Sequence, residues 1–568
     1  MKLRSVCGNE KGVILSVALM LLAILTLMGS AAIVSSRSGL KIATNWKSNT
    51  TVFYAAEAGL EKGIADLKTL LGATGQPTAD QLLAIAPPSL SNPNFTFPEF
   101  KVEFINSAPI VLNSGAYNGL RADASSYQIT SEAKGPGGSR SKLVQVVEYL
   151  EVPLFQFGVF YGKGVDLEIA PGPPMTFNGR VHANSNIYMR NDSLKFDSFV
   201  TTAGDIHRYV KRDLDAGGNP TSRGTNPQIK DAGGSYQSLN FDHKMNHNFV
   251  AEWSDPAQWK SAALSTFGGT VLDSAMGVQE IQPPVPSVLY GSDAAAAPDA
   301  AHQMIEKGTG TDSAAMKKAK MYYQAGLRIV NGSVHDGNGN PVNMASCDPK
   351  AVTNKPFRDA REEKNVTVTE IDIGLLMACG VTPANGVMYV SRDGNDQGVR
   401  LVNGSQLPSQ GLTVVSENPV YIRGNYNTVN KVPAAVMGDS ITVLSNNWDD
   451  QNANASTPNR LASDTAINSA FALGPQVEST AGHGNGQLEN AIRFLEDWDG
   501  RNFSYRGSIV SLWHSKQGDK EWQCCGQYYR PPNRDWGYDT LFDTQQPPGT
   551  PKGVLGLARK SWSEGNVL

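Results

Sequence analysis

Charge of either sign is sparse in this 568-residue chain: 49 Lys and Arg against 53 Asp and Glu leave a net charge of −4. No basic patch stands out, which excludes the electrostatic footprint that nucleic-acid binding requires. Cysteine is scarcer still, five residues in all, and without a C-x-x-C pair the usual spacing of a zinc site is missing. The histidines at 243 and 247 share a helical spacing but lack the general-base Glu of H-E-x-x-H, and Asn246 and Asn248 disfavour a helix there, so they read as loop residues. No strict repeat period is visible. What the chain does have is turn formers, 56 Gly and 32 Pro with many Asn and Ser. They point to a turn-rich, strand-rich exported body, and the length allows two or three domains.

Charge disappears altogether from Val13 to Val34, a run of 22 residues. As a helix rising about 1.5 Å per residue it spans about 33 Å, enough to cross a bilayer. Lys2, Arg4 and Lys11 precede it, which favours a cytoplasmic N-terminus and export of the remainder. Beyond it Ile42, Trp46, Phe53, Ala56, Leu60, Ile64, Leu67 and Leu71 recur mostly at three- or four-residue steps, one apolar stripe of a helix. Val13 to Leu71 therefore predicts one rod of about 90 Å. Gly39, Gly59 and Gly63 offer places to bend it, and Gly72 is the expected terminator ahead of Gly75-Gln76-Pro77.

Three pieces of this stretch resemble a known family. They are Glu10-Lys11-Gly12 directly before the apolar run, the Leu-rich core Leu19 to Leu27, and Phe53-Tyr54-Ala55-Ala56-Glu57-Ala58-Gly59-Leu60-Glu61. Together, over roughly residues 8 to 72, they resemble the PilX-like branch of type IV prepilins. The resemblance implies cleavage after Gly12 by prepilin peptidase, N-methylation of Val13, and packing of the Val13–Leu71 helix against other pilins. It implies a single-pass inner-membrane protein with a cytoplasmic N-terminus and its head in the periplasm or on the cell surface or pilus. One departure is informative. Major pilins carry Glu at the fifth mature position, and here that position is Val17. A buried Glu in an apolar spine neutralises the charged N-terminus of a neighbour, so its loss suits a minor, tip-located subunit. Two other readings of the run need less: a plain single-pass anchor, or a secretory signal peptide cut near Gly29-Ser30-Ala31-Ala32.

The expected organisation is a leader over 1–12, the helix over 13–72, a Pro-rich connector with a small antiparallel sheet over 73–160, a large β domain over 161–445 and an aromatic-rich C-terminal part over 446–568. Phe100 to Ile105, Ser126 to Ser131 and Lys142 to Tyr149 read as the antiparallel strands, with Gly135-Pro136-Gly137-Gly138 as a turn. From Phe177 onward the apolar runs shorten to three to five residues between tight Gly, Asn and Asp turns, ending with Ala434 to Met437 and Ile441 to Leu444. That pattern suits a right-handed parallel β-helix, each rung burying its inward side chains on the next, with a β-sandwich as the alternative. Helical insertions interrupt it. Trp253 and Trp259 pin a small helix in residues 208–290, and Asp312 caps one over Ser313 to Tyr323. Glu489 to Trp498 reads as a further helix.

Cys347, Cys379, Cys524 and Cys525 would meet an oxidising space, so up to two disulfides are expected. A bridge between the adjacent Cys524 and Cys525 requires strained geometry, which favours pairing each with Cys347 or Cys379. Candidate chemistry is thin. Gly438-Asp439-Ser440-Ile441-Thr442 is similar to the nucleophile block of GDSL hydrolases, but Ser440 comes late and the Asp299-x-x-His302 base motif lies upstream. Asp336-Gly337-Asn338-Gly339-Asn340 and the Asp449, Asp450 and Asn452 loop supply oxygen ligands for calcium without the distal Glu of an EF-hand. No cofactor is otherwise implied. The leading expectation is a non-catalytic minor pilin in assembly, at the tip or in adhesion. The alternative is a membrane-anchored β-helix that binds or cleaves surface glycans, for which Asp393, Arg400 and Arg423 are scattered candidates.

Overall fold

The structure, a computed structural model, describes residues 10–215, 220–221, 224–241, 256–286, 295–523 and 526–565. Cys7, His243, His247, Trp253, Cys524 and Cys525 lie outside the described residues. Helix α1, Glu10–Thr74, runs unbroken for 65 residues, about 97 Å. Gly72 does not end it. The chain turns at Gly75, whose φ of +71° is the left-handed conformation glycine adopts without penalty, and Gly75 donates its N–H to the Leu71 carbonyl at 2.7 Å.

α1 lies on a four-stranded antiparallel sheet. Three strands follow in sequence: β1 Thr96–Val111, β2 Arg121–Lys134 and β3 Arg140–Pro153. The fourth, β4, is Lys552–Glu564 from the far end of the chain, antiparallel to β3 with Pro153 opposite Lys552. Residues 154–551 form a body inserted between two neighbouring strands of the sheet.

The body is built from stacked parallel strands. Among the described residues its largest sheet has eleven strands, ten of which succeed one another in parallel, and Ser333–Asp336 closes it antiparallel to Leu327–Val330. The spatial order does not follow the chain. Val159–Tyr161 starts in the middle and the chain builds outward through Val181–Ala183 and Val200–Thr202 to Val271–Leu272. It then reappears at the opposite end with Leu327–Val330 and returns coil by coil, through Val387–Ser391, Leu412–Val415, Ala434–Gly438 and Ala470–Leu473. The last strand, Ile509–Ser511, docks in parallel on the first, Val159–Tyr161. The stack is thus circularly permuted, and its two chain ends meet beside each other at the antiparallel sheet. The C-terminal strands continue the ladders begun upstream, because each coil covers the apolar edge left by its predecessor.

Burial explains why these strands read as continuous apolar runs. In Ala434–Gly438, Ala434 and Val436 join the interior cluster, whereas Ala435 and Met437 join a second cluster on the outer face of the same sheet. Strands buried on both faces lose the polar half of the alternation. The cover on the outer face is the Ala-rich arm, with helices Ala297–His302, Ala314–Ala319 and Met321–Gln324. Its cap is Ser313, which accepts from the Met316 N–H at 3.1 Å, rather than Asp312, which pairs with Lys320 at 3.0 Å. Nor is Glu489–Trp498 a helix. A short turn, Leu488–Asn490, leads into strand Ile492–Phe494, parallel to Ile441–Leu444. Ile492 and Phe494 suit one face of a strand as well as one side of a helix, and the neighbouring coil decides.

The seam between last and first coils is ionic as well as backbone-bonded. Lys211 lies 2.5 Å from Asp166 and 2.6 Å from Glu478, and His514 lies 3.3 Å from Glu478. At the hairpin end, Cys347 is bonded to Cys379, which corrects the expected pairing of each with Cys524 or Cys525. The two halves lie 5.0 Å apart at Cα because helix Ile373–Ala378 ends over the 347 turn. The bridge closes a loop with a sequence separation of 32, so Cys379→Ala should lower stability by about 3 to 4 kcal/mol in thermal or denaturant unfolding. An unchanged midpoint would mean the hairpin end contributes nothing to the cooperative unit.

Candidate functional site: the long helix and its seat

Among the described residues, α1 is the one helix long and apolar enough to cross a membrane. Every residue from Val13 to Lys47 is exposed. Gly12 and Val13, the expected processing junction, lie in the first turns of α1. The apolar stripe read from Ile42 is covered by the head only from Val52 onward. Ile42 and Trp46 are 70% and 72% exposed, so this part of the stripe finds no cover within one copy of the chain.

From Val52 the helix is seated by small residues. Ala55, Ala56 and Leu60 are buried, and Gly59 and Gly63 let the helix axis approach β2 closely. A Cβ on Gly59 would lie 2.1 Å from Ser131 Oγ, and one on Gly63 would lie 2.8 Å from Ile129 Cγ2. These glycines serve contact. The Phe53–Glu61 block is therefore a docking face: its small side chains meet the sheet and its acids, Glu57 and Glu61, stay exposed. Glu61 accepts from Arg559 of β4 at 2.7 Å, and Phe53 meets Trp562 of β4 edge-on at 6.2 Å. The pair is about half exposed, so it adds registry more than stability. Sequence reasoning missed β4 as part of this seat. Val554 and Leu557 both pack on the helix cluster, but a bulge between them sets their three-residue spacing, which does not read as strand alternation.

At its C-terminal end α1 meets the body. Lys318 of the arm donates to the carbonyls of Thr74 at 3.1 Å and Gln76 at 3.3 Å, a cation placed against the negative end of a long helix. A cleft of about 890 Å³ opens at this joint, between Lys68–Gln76, Tyr149 and Glu151 of β3, and the Pro283–Pro286 segment. Burial raises the Glu151 carboxyl above its ordinary range.

The other candidates are structural or dispersed. Ser440 is buried, and His302 comes to Asp439, 3.2 Å away, in an arrangement that hands Ser440 no base. Asp336 accepts from the N–H groups of Asn338 and Asn340 and so closes the hairpin turn. Asp450 holds Arg400 through two bonds of 2.7 and 2.8 Å, and Glu370 holds it from the other side, so Arg400 is an interior tie. Asp393 pairs with Lys307 and Asn331, away from Arg400. Among the described residues no group of three or more His, Cys, Asp or Glu is arranged to hold a metal.

Comparison with known proteins agrees with the helix. Residues 11–61 match the PilX N-terminal family, so this segment is PilX-like. No curated protein matches the chain. Among solved structures, the competence-associated pilin ComZ from Thermus thermophilus aligns at 11% identity over 91% of this chain and 98% of that chain, with a TM-score of 0.29.

Proposed function

We propose that this chain is a minor pilin-type subunit of a type IV pilus or related filament, carrying a large permuted parallel β-helix as its displayed head. The observation that carries the reading is the division of α1. Ala55, Ala56, Gly59 and Leu60 of its Phe53–Glu61 block are buried on the sheet, while Val13 to Lys47 stands bare. A bare apolar helix of this length needs lipid before assembly and neighbouring helices after it. In this reading the inner membrane stores the subunit with its N-terminus in the cytoplasm, and other pilins take over the same surface through Leu40, Ile42 and Trp46. The body, read as right-handed in keeping with parallel crossovers generally, is a rigid display element without catalytic duty. Position Val17, apolar where major pilins carry Glu, supports a place above the shaft, at or near the tip.

Processing follows from the same reading. Gly12→Arg puts a bulky cation at the junction and should leave the leader attached, so the precursor mass persists in cells with active prepilin peptidase. Normal maturation of Gly12→Arg would remove the junction from the account. Sheared filaments should contain the wild-type chain at low copy number, and its absence from them would favour an anchor over a filament subunit.

A further inference from the structure

The Ala-rich arm is strapped across the outer face of the eleven-stranded sheet, and a polar fastening sits within the apolar contact. Ala300, Ala301, Met304 and Met316 of the arm share a buried cluster with Ala435, Met437 and Trp513 of the body. Within it His302 stands between two carboxylates. Its Nδ1 lies 2.8 Å from Glu306 on the arm itself, and its Nε2 lies 3.2 Å from Asp439 on the body. Trp513 meets the imidazole edge-on at 6.0 Å.

Each carboxylate also has partners of its own. Asp439, 0% exposed, accepts from Ser515 Oγ and from the N–H groups of Lys516 at 2.6 Å and Gln517 at 3.1 Å. Lys516 Nζ reaches Glu306 at 3.0 Å and Asp299 at 3.6 Å. On the flank, the Lys307 N–H donates to Glu417 at 2.9 Å, the Lys307 side chain pairs with Asp393, and the Tyr389 hydroxyl donates to the Ile305 carbonyl at 3.0 Å.

A ring with both nitrogens against carboxylate oxygens must donate from both, and only the imidazolium does so. The neutral ring would aim a lone pair at an anionic oxygen. Because Asp439 keeps three other donors and Glu306 keeps Lys516, the imidazole is the group that gives way. Movement there reaches α1, since the same arm carries Lys318 to the Thr74 and Gln76 carbonyls. We propose that His302 is a proton-operated clasp: charged, it straps the arm to the body and fixes the joint at the end of α1; neutral, it releases one carboxylate and the arm loosens.

The titration directions agree with the geometry. Burial alone would lower His302, but its bonds to Asp439 and Glu306 outweigh burial and raise it. A raised histidine stabilises fully below about 6.5 and loses that contribution as pH rises past the raised value. Glu306 is held down at about 2, first by its bond to His302. Asp439 is lowered too, its bonds to His302 and Ser515 overcoming burial. Depressed carboxylates keep their contribution above about 4 and lose it only as pH falls further. The clasp is therefore closed below about 6.5 and opens as pH rises past the raised value of His302.

Hydrogen–deuterium exchange of the full chain in detergent, corrected for intrinsic rates, tests this at pH 6 and pH 9. The N–H groups of Met304 and Ile305 should exchange about tenfold faster relative to intrinsic rates at pH 9, while Ala434–Leu444 should not change. Glu306→Gln leaves a neutral His302 able to satisfy Asp439 alone, so the arm should keep its fold and lose the pH response. His302→Gln should exchange fast at both pH values. Equal protection of the wild-type arm at both pH values, or an undiminished pH response in Glu306→Gln, would overturn the clasp.

Discussion

A leucine in place of Gly59 is expected to unseat the long helix and to lower stability by about 3 kcal/mol, at the severe end of overpacking. The Cβ alone would lie 2.1 Å from Ser131 Oγ and 3.1 Å from the Phe97 ring, and the rest of the side chain has nowhere to go but into β2. Helix propensity acts in the opposite direction, since losing a helical glycine gains up to about 1 kcal/mol, so the loss measured is the steric term less that gain. Gly39→Leu isolates the propensity effect, because a Cβ at Gly39 meets nothing within 4 Å. Thermal unfolding of the full chain in detergent should show a large drop for Gly59→Leu and none for Gly39→Leu. Ser131→Gly should recover part of the Gly59→Ala loss, as expected for residues in direct contact. Equal behaviour of the two glycine sites would mean the Phe53–Glu61 block does not seat the helix.

The second large effect is a gain in stability on mild acidification. Glu489 and Glu496 are buried in the last coils, and burial pushes both carboxyls up to about 7. Their bonds, from the Ala170 N–H to Glu489 and from the Ser445 N–H and hydroxyl to Glu496, only partly offset that. A carboxyl raised in the folded state stabilises fully below its unfolded value of about 4.5 and loses that contribution as pH rises through about 7. Each loses about 3 kcal/mol once fully ionised. His182 acts the other way. It is neutral against Thr201 and Asn184, and burial lowers it to about 4, so its contribution is complete above about 6.5 and shrinks on acidification. Two carboxyls against one imidazole leave a net gain of about 2 kcal/mol between pH 8 and pH 5.5. Glu489→Gln with Glu496→Gln should flatten the alkaline half of the stability profile, since Ser445 can accept from the new amide. A profile unchanged by both substitutions would place the ionising groups elsewhere.

How much was legible in the sequence depended on the range of the contact involved. Val13–Val34 declares itself by composition, and the stripe beyond it by period, because a helix closes its hydrogen bonds locally. Strands such as Leu412–Val415 and Ile441–Leu444 were legible as short apolar runs because burial on both faces removes the polar half of the alternation. What escaped notice was partner choice. Nothing in Lys552–Glu564 announces that it pairs with Arg140–Pro153, and nothing near residue 446 says that the coils continue. The permuted order follows from which coil edges remain uncovered, a property of the assembled body. Cysteine pairing is non-local in the same way: strain between the adjacent Cys524 and Cys525 says nothing of the Ile373–Ala378 helix, whose end brings Cys379 to Cys347. At the helix seat, the small residues Ala55, Ala56 and Gly59 were visible as a motif, but their purpose required Ser131 and Ile129 on the facing strand.

The mature N-terminus, read by mass spectrometry from cells with and without prepilin peptidase, tests the central claim most directly. The account predicts a chain beginning at a methylated Val13 when the peptidase is present, and the intact leader when it is absent. A chain that keeps Met1 in both, or one that begins near Ala32, would contradict a pilin-type subunit and leave α1 as an anchor or an export signal.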